Sequence, residues 1–234
     1  MKIMNGIVLV AITLATALFM GSVIIPATAA SNSPQTFPYS TNKALSAKWW
    51  QWAFSFPADV SPLTDSTGDR CQKGNLGNVF FLAGTSVAPF TAERHCTISH
   101  KQAILFPVIN AACLLNVEKP IVCFTGDPVT TLDQLKKEIK AQADVIDFVG
   151  ASLDGKAIPG VSVNGPARVQ SPLFKTTVVD NVPFTDTPAG KYTGLADGYF
   201  VHLKPLSIGE HTIHFKGAVG NAFVTEVTYH LTVK

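Results

Sequence analysis

Charge is what this chain has least of. Asp, Glu, Lys and Arg make up 15% of its 234 residues, against about 25% in an average soluble domain. The balance is near neutral, at a formal +2. That leaves no electrostatic footprint for nucleic acid. The one basic cluster, Lys136-Lys137 with Lys140, falls on a predicted helix and reads as a solvated face. There is no C-x-x-C pair, which weakens a thiolate metal site. There is no G-x-S-x-G elbow, and Gly84-Thr85-Ser86-Val87-Ala88 is only a distant echo of one. N-x-S/T acceptors and internal repeats are also missing. All three methionines (Met1, Met4, Met20) stand near the start. The remaining chain therefore has no thioether to serve as the axial ligand of a blue-copper centre.

What is present begins with an uncharged run. Residues 7–30 follow Lys2, stay apolar through Ile25 and end in Pro26-Ala27-Thr28-Ala29-Ala30. This layout reads as a secretory signal over residues 1–29, cleaved after Ala29. The run could also span a bilayer of about 30 Å, so an uncleaved anchor is the competing reading and the only membrane association expected. Either way the body is exported, secreted or at the cell surface. Without residues 1–29, 205 residues remain, with 17 basic side chains against 16 acidic ones. Residues 38–234 are read as a single domain. Its four cysteines (Cys71, Cys96, Cys113, Cys123) are expected to form two disulfides. Three pairings are possible, and Cys71–Cys96 with Cys113–Cys123 ranks first because it closes the shortest loops.

Periodicity supplies the elements. Ser40-Thr41-Asn42 can cap a helix over Lys43–Phe54, in which Leu45, Trp49, Trp52 and Phe56 form one stripe that Pro57 ends. Thr130 or Thr131 opens a second helix with Leu132, Leu135, Ile139 and Ile146 on one face. Strands are expected at Asn78–Ala83 and Gln102–Ile109; the latter contains Ile104-Leu105-Phe106 bounded by Pro107, which suggests a strand end or a bulge. Asp154-Gly155 is a hairpin signal between Phe148–Leu153 and Lys156–Val161. Three alternating stretches near the end (199–204, 212–216, 226–233) predict an antiparallel meander with one wet face. The whole reads as mainly β: an antiparallel β-sandwich, jelly-roll or immunoglobulin-like, with two accessory helices.

Several segments together resemble a family of exported archaeal and bacterial proteins without an assigned activity. They are Lys48-Trp49-Trp50-Gln51-Trp52, the Asp65–Cys71 loop, Val79–Gly84, Arg94-His95-Cys96-Thr97-Ile98, Ile104–Asn110 and the stretch from Leu203 to His214. The resemblance implies one unit over most of the chain and carries no catalytic residues. Separately, Leu203-x-Pro205-x-x-x-Gly209-x-His211 is similar to the corner motif of immunoglobulin-like sandwiches, with His211 where a tyrosine is usual.

Three constellations compete for function. Trp50, on the helix face away from the stripe, is expected to be the exposed indole on which a ligand such as a sugar ring could stack. His202, His214 and Glu226 would share a row on the wet face if the meander is in simple register, a ligand set suited to zinc or iron. Adjacent strands lie about 4.8 Å apart, so the outer two would start nearly 10 Å apart. The expectation is a solvated row without metal or other cofactor. Asp65, Asp69, Glu93 and Glu118 could serve a secreted hydrolase acting on carbohydrate, whereas Arg70 and Arg94 are expected to pair with those acids. The preferred reading is an exported binding or structural module for an extracellular ligand or surface component, not an enzyme. The alternatives are the hydrolase and a metal-binding exported protein.

Overall fold

The computed structural model describes residues 33–234 apart from Val87, Phe124 and Thr125; the leader expected over residues 1–29 lies outside the described residues. In chain order the elements are α1 (Asn42–Ala53), β1 (Val79–Phe81), β2 (Thr91–Ile98), β3 (Ala103–Leu115), β4 (Ile121–Val122), β5 (Pro128–Val129), α2 (Leu132–Asp144), β6 (Phe148–Leu153), β7 (Lys156–Ala157), β8 (Arg168–Gln170), β9 (Phe174–Val178), β10 (Gly190–Leu203), β11 (Gly209–Val219) and β12 (Phe223–Val233).

Two five-stranded sheets pack as a β-sandwich with two helices. The first is ordered β1-β3-β10-β8, with β9 also on β10; the second is ordered β2-β12-β11-β6-β7. Most pairs are antiparallel, but each sheet carries one parallel pair, β1 on β3 and β2 on β12. Between the sheets, Ile104, Phe106, Tyr199 and Val201 meet Ile213, Phe215, Val227 and Leu231, all buried. Phe106 stacks on Phe215 with ring centroids 4.9 Å apart.

Local chemistry explains the helices. Thr131 caps α2 in a reciprocal box with Gln134, satisfying two otherwise orphaned donors. Leu135 and Ile139 are then fully buried against Ala111, Cys113 and Leu195. Arg168 fastens the far end of α2, reaching Asp144 at 2.8 Å and Asp197 on β10 at 3.1 Å. The first helix lies on the outer face of the first sheet, where Trp49 packs against Phe200 and donates its Nε1–H to Leu82 O at 3.0 Å. No helix among the described residues is long and apolar enough to cross a membrane.

Both disulfides are formed, Cys71–Cys96 and Cys113–Cys123, as expected of a chain that matures in an oxidising compartment.

Of the two alternatives expected at Pro107, a strand end or a bulge, the bulge is the one formed: β3 continues to Leu115. The pairing with β10 shifts register at this point: Tyr199 faces Ile109 and Phe200 faces Pro107, leaving Val108 as a bulge. By the alternation from Leu105, the nitrogen of Pro107 faces the side where β1 has already ended, so no ladder bond is lost. The expected terminal meander needs correction: it is only half present. The β11–β12 hairpin exists with a polar outer face, but β10 belongs to the other sheet. Its alternation is real, yet Phe200 and His202 face covering protein rather than water.

Near the expected corner, His211 Nε2 lies 3.0 Å from Ser207 O and its Nδ1 lies 2.8 Å from Asp154 Oδ2. Tyr192, at the start of β10, donates its hydroxyl to Pro188 O four residues upstream at 2.8 Å.

Candidate functional site

A cavity of about 620 Å³ lies beside the first sheet, between α1, the C-terminal end of α2 and the β11–β12 turn. Its position follows from the mismatch between β1 and β3. The short strand β1 accompanies β3 only from Ala103 to Leu105; beyond that, β10 is the sole strand partner of β3 among the described residues. Six consecutive residues, Pro107–Ala112, line the cavity. A strand sends alternate side chains to opposite faces, so consecutive residues can share one cavity only along the strand edge. The cavity therefore runs along an edge of β3 that no strand among the described residues covers.

Aromatic rings make much of the remaining wall, among them Trp49, Trp50, Phe54, Phe184 and Phe223. Three residues of the lining carry buried polar atoms without a partner: Trp50 Nε1, Asn110 Nδ2 and Thr225 Oγ1. Unpaired buried donors are costly, about 1–3 kcal/mol each. No Asp, Glu, His, Lys or Arg is among the described residues of the wall, and its one cysteine, Cys123, is in a disulfide.

Trp50 is thus not the exposed ring expected from the helical stripe. It is 7% exposed and packed among Trp49, Phe54 and Phe184, with ring centroids 5.2–5.5 Å away. The second face of α1 is covered by segments remote in sequence. Ala58 N–H donates to Asn181 O, and Val179 N–H to Phe54 O, which brings Leu63, Val182 and Phe184 over it. An open sugar-stacking platform at Trp50 does not exist, but its ring borders the cavity.

The His202–His214–Glu226 row is not formed. His214 and Glu226 do meet on the outer face of the second sheet, with Nε2 and Oε1 2.9 Å apart, although His214 faces Thr228 in register and Lys216 faces Glu226. Hydrogen bonds from Lys216 and His214 hold the Glu226 carboxyl below its usual range. His202 lies in the other sheet, opposite Leu105. There it is 7% exposed, its ring stacked on Phe37 with centroids 4.3 Å apart. The segment carrying Phe37 is held there by Phe37 N–H to His202 O and Lys204 N–H to Gln35 O, both 2.9 Å.

Neither ring nitrogen of His202 has a partner, and burial lowers its pKa. The consequence for stability is directional. Above the ordinary value of 6.5 the ring is neutral both folded and unfolded, and the contribution is complete. As pH falls below that value and through the depressed folded pKa, the unfolded chain binds a proton that the folded one resists, and stability is lost. Urea midpoints at pH 7.5 and pH 5 should therefore differ more for the wild type than for His202→Phe. An equal acid loss in both proteins would show that another group is responsible.

The acids considered for hydrolysis are dispersed. Asp69, Glu93 and Glu118 are exposed, and none of them or Asp65 borders the cavity. Asp65 is buried. Burial raises its pKa, but N–H bonds from Arg70, Thr67 and Gly68 and the Thr67 hydroxyl more than offset this, so the net shift is downward. The expected pairing of Arg70 and Arg94 with acids is not found either. Arg70 Nη1 donates to Ser61 O and Thr64 Oγ1, while Arg94 donates to Asp65 O, Ala83 O and the Tyr229 hydroxyl.

Comparison with known proteins gives no match: no family model, no curated protein and no solved structure is similar to this chain.

Proposed function

We propose that this chain is an exported binding module, secreted or held at the cell surface, that takes an apolar or aromatic small molecule bearing a few hydrogen-bonding groups into the cavity along β3. The cavity itself carries this reading. Its volume of about 620 Å³ lies within the range of roughly 300–1,000 Å³ typical of small-molecule sites. Aromatic walls suit an apolar body. The edge of β3, unpaired beyond Leu105 on this side among the described residues, suits a ligand with a few hydrogen-bonding groups. A carbohydrate hydrolase would need an acid or base within reach of the substrate, and the described wall supplies neither.

The test is a titration with 1-decanol and with aromatic alcohols, following tryptophan emission and thermal stability. Trp49 and Trp50 border the cavity, so a bound ligand should alter their fluorescence saturably. At one hundred times its dissociation constant a ligand should stabilise the fold by about 2.7 kcal/mol. Narrowing the cavity with Ala112→Phe should weaken both responses without unfolding the protein. Responses that persist undiminished in the narrowed variant, or no stabilisation by any of these probes, would overturn the assignment.

A further inference from the structure

The outer face of the second sheet carries a trio that the expected meander did not include. We infer that Glu93, His95 and His230 form a surface site for one divalent transition-metal ion of the zinc class. One ligand atom from each lies within 4.8 Å of the others. The trio follows from strand pairing. His95 on β2 and His230 on β12 are direct partners in the parallel ladder, and Glu93 stands two residues before His95, on the same face of β2.

The side chains already converge. His230 Nε2 and Glu93 Oε1 are 2.8 Å apart, and the two imidazoles lie near-parallel, 4.7 Å between centroids with 19° between planes. Zinc bonds of about 2.0–2.2 Å in a tetrahedron hold neighbouring ligand atoms about 3.4 Å apart. The present separations bracket that value, so the Glu93–His230 pair must open slightly while the third atom closes in. These residues are exposed or half-buried, which leaves their rotamers room for the adjustment. Two imidazoles and a carboxylate suit zinc, nickel or copper better than calcium or magnesium, which prefer all-oxygen sets. Three protein ligands leave the fourth tetrahedral position for water.

The ladder itself is rigid where the trio sits. The free side of β2 is held by the preceding loop, His95 N–H donating to Thr67 O at 2.8 Å. On the inner face Cys96 is tied to Cys71. Because both disulfides are formed among the described residues, no thiol competes for the metal there. None of the three residues borders the cavity, so this site stands or falls independently of the ligand proposed above.

The test is isothermal titration of the untagged, oxidised protein with zinc chloride at neutral pH, with calcium as the control ion. The expected result is saturable binding of one zinc per chain. Binding should weaken at least about tenfold in His230→Ala and in His95→Ala, and stay unchanged in His214→Ala, which disturbs the neighbouring Glu226 pair instead. Circular dichroism melts would verify that each variant is folded, with His95→Asn replacing any that is not. No saturable heat up to about 1 mM zinc, or an equal loss in His214→Ala, would overturn the site.

Discussion

Replacing Arg94 with alanine is expected to destabilise the fold by about 3 kcal/mol or more, read as a shift in the urea midpoint. Arg94 is 1% exposed, on the core face of β2. Its Nε–H donates to Asp65 O at 2.7 Å, and Nη1 donates to Ala83 O at 2.8 Å and to the Tyr229 hydroxyl at 2.5 Å. The guanidinium also lies over the Tyr229 ring, 5.3 Å from its centroid. One side chain thus joins the Asp65 loop, the segment after β1 and the second sheet. Truncation leaves a void as well as Asp65 O without its donor. Arg94→Met fills most of the volume and removes the charge that is costly to bury, so it should recover more than half of the loss. An unchanged midpoint in Arg94→Ala would mean that desolvation of the guanidinium cancels its hydrogen bonds.

Removing the Cys71–Cys96 bridge by double serine substitution should cost about 3.5 kcal/mol, and removing Cys113–Cys123 about 2.8 kcal/mol, on chain-entropy arithmetic. The bonds close separations of 25 and 10 residues, and the longer loop confines the unfolded chain more. The longer bridge also anchors the turn at Gly68, which has a φ of +101°. A Cβ there would come within 2.4 Å of His95 O, so only glycine fits against β2. Chemical denaturation of both double variants decides the order. If loss of Cys113–Cys123 proves the more damaging, native contacts around α2 outweigh the entropy of the larger loop.

The legible elements were those whose signals are local. Thr131 and Gln134 mark the start of α2 by their spacing alone, and Asp154-Gly155 supplies the two left-handed residues its hairpin needs, with φ of +51° and +74°. The strand β2 is hard to read from the sequence because its inward series is Ala92, Arg94, Cys96 and Ile98. A buried arginine in the core face hides the alternation that defines a half-buried strand. The Glu93-x-His95 pair is hidden with it. On β12, the neighbours of His230 belong to β2, and no spacing along its own strand reveals them.

Trp50 and His202 illustrate the same limit from the other side. A helical stripe shows that one face of α1 must be covered. It says nothing about Phe184 or Leu63 arriving from remote segments to cover the opposite face. Likewise the polar positions between Tyr199, Val201 and Leu203 read as wet, but His202 lies beneath Phe37.

The sequence by itself determined the β-rich character, the start of α2, the hairpin and the disulfide pairing that loop closure favours. Each depends on side-chain period, turn chemistry or short-loop entropy, which act over a few residues to a few tens of residues. Only the tertiary structure decided that β10 joins β3 rather than β11, and with it the absence of the His202 row. It also decided that β1 stops short and leaves the edge of β3 bordering a cavity. Local alternation specifies that a face must be buried, whereas the partner that buries it is selected by packing between strands about ninety residues apart in the chain.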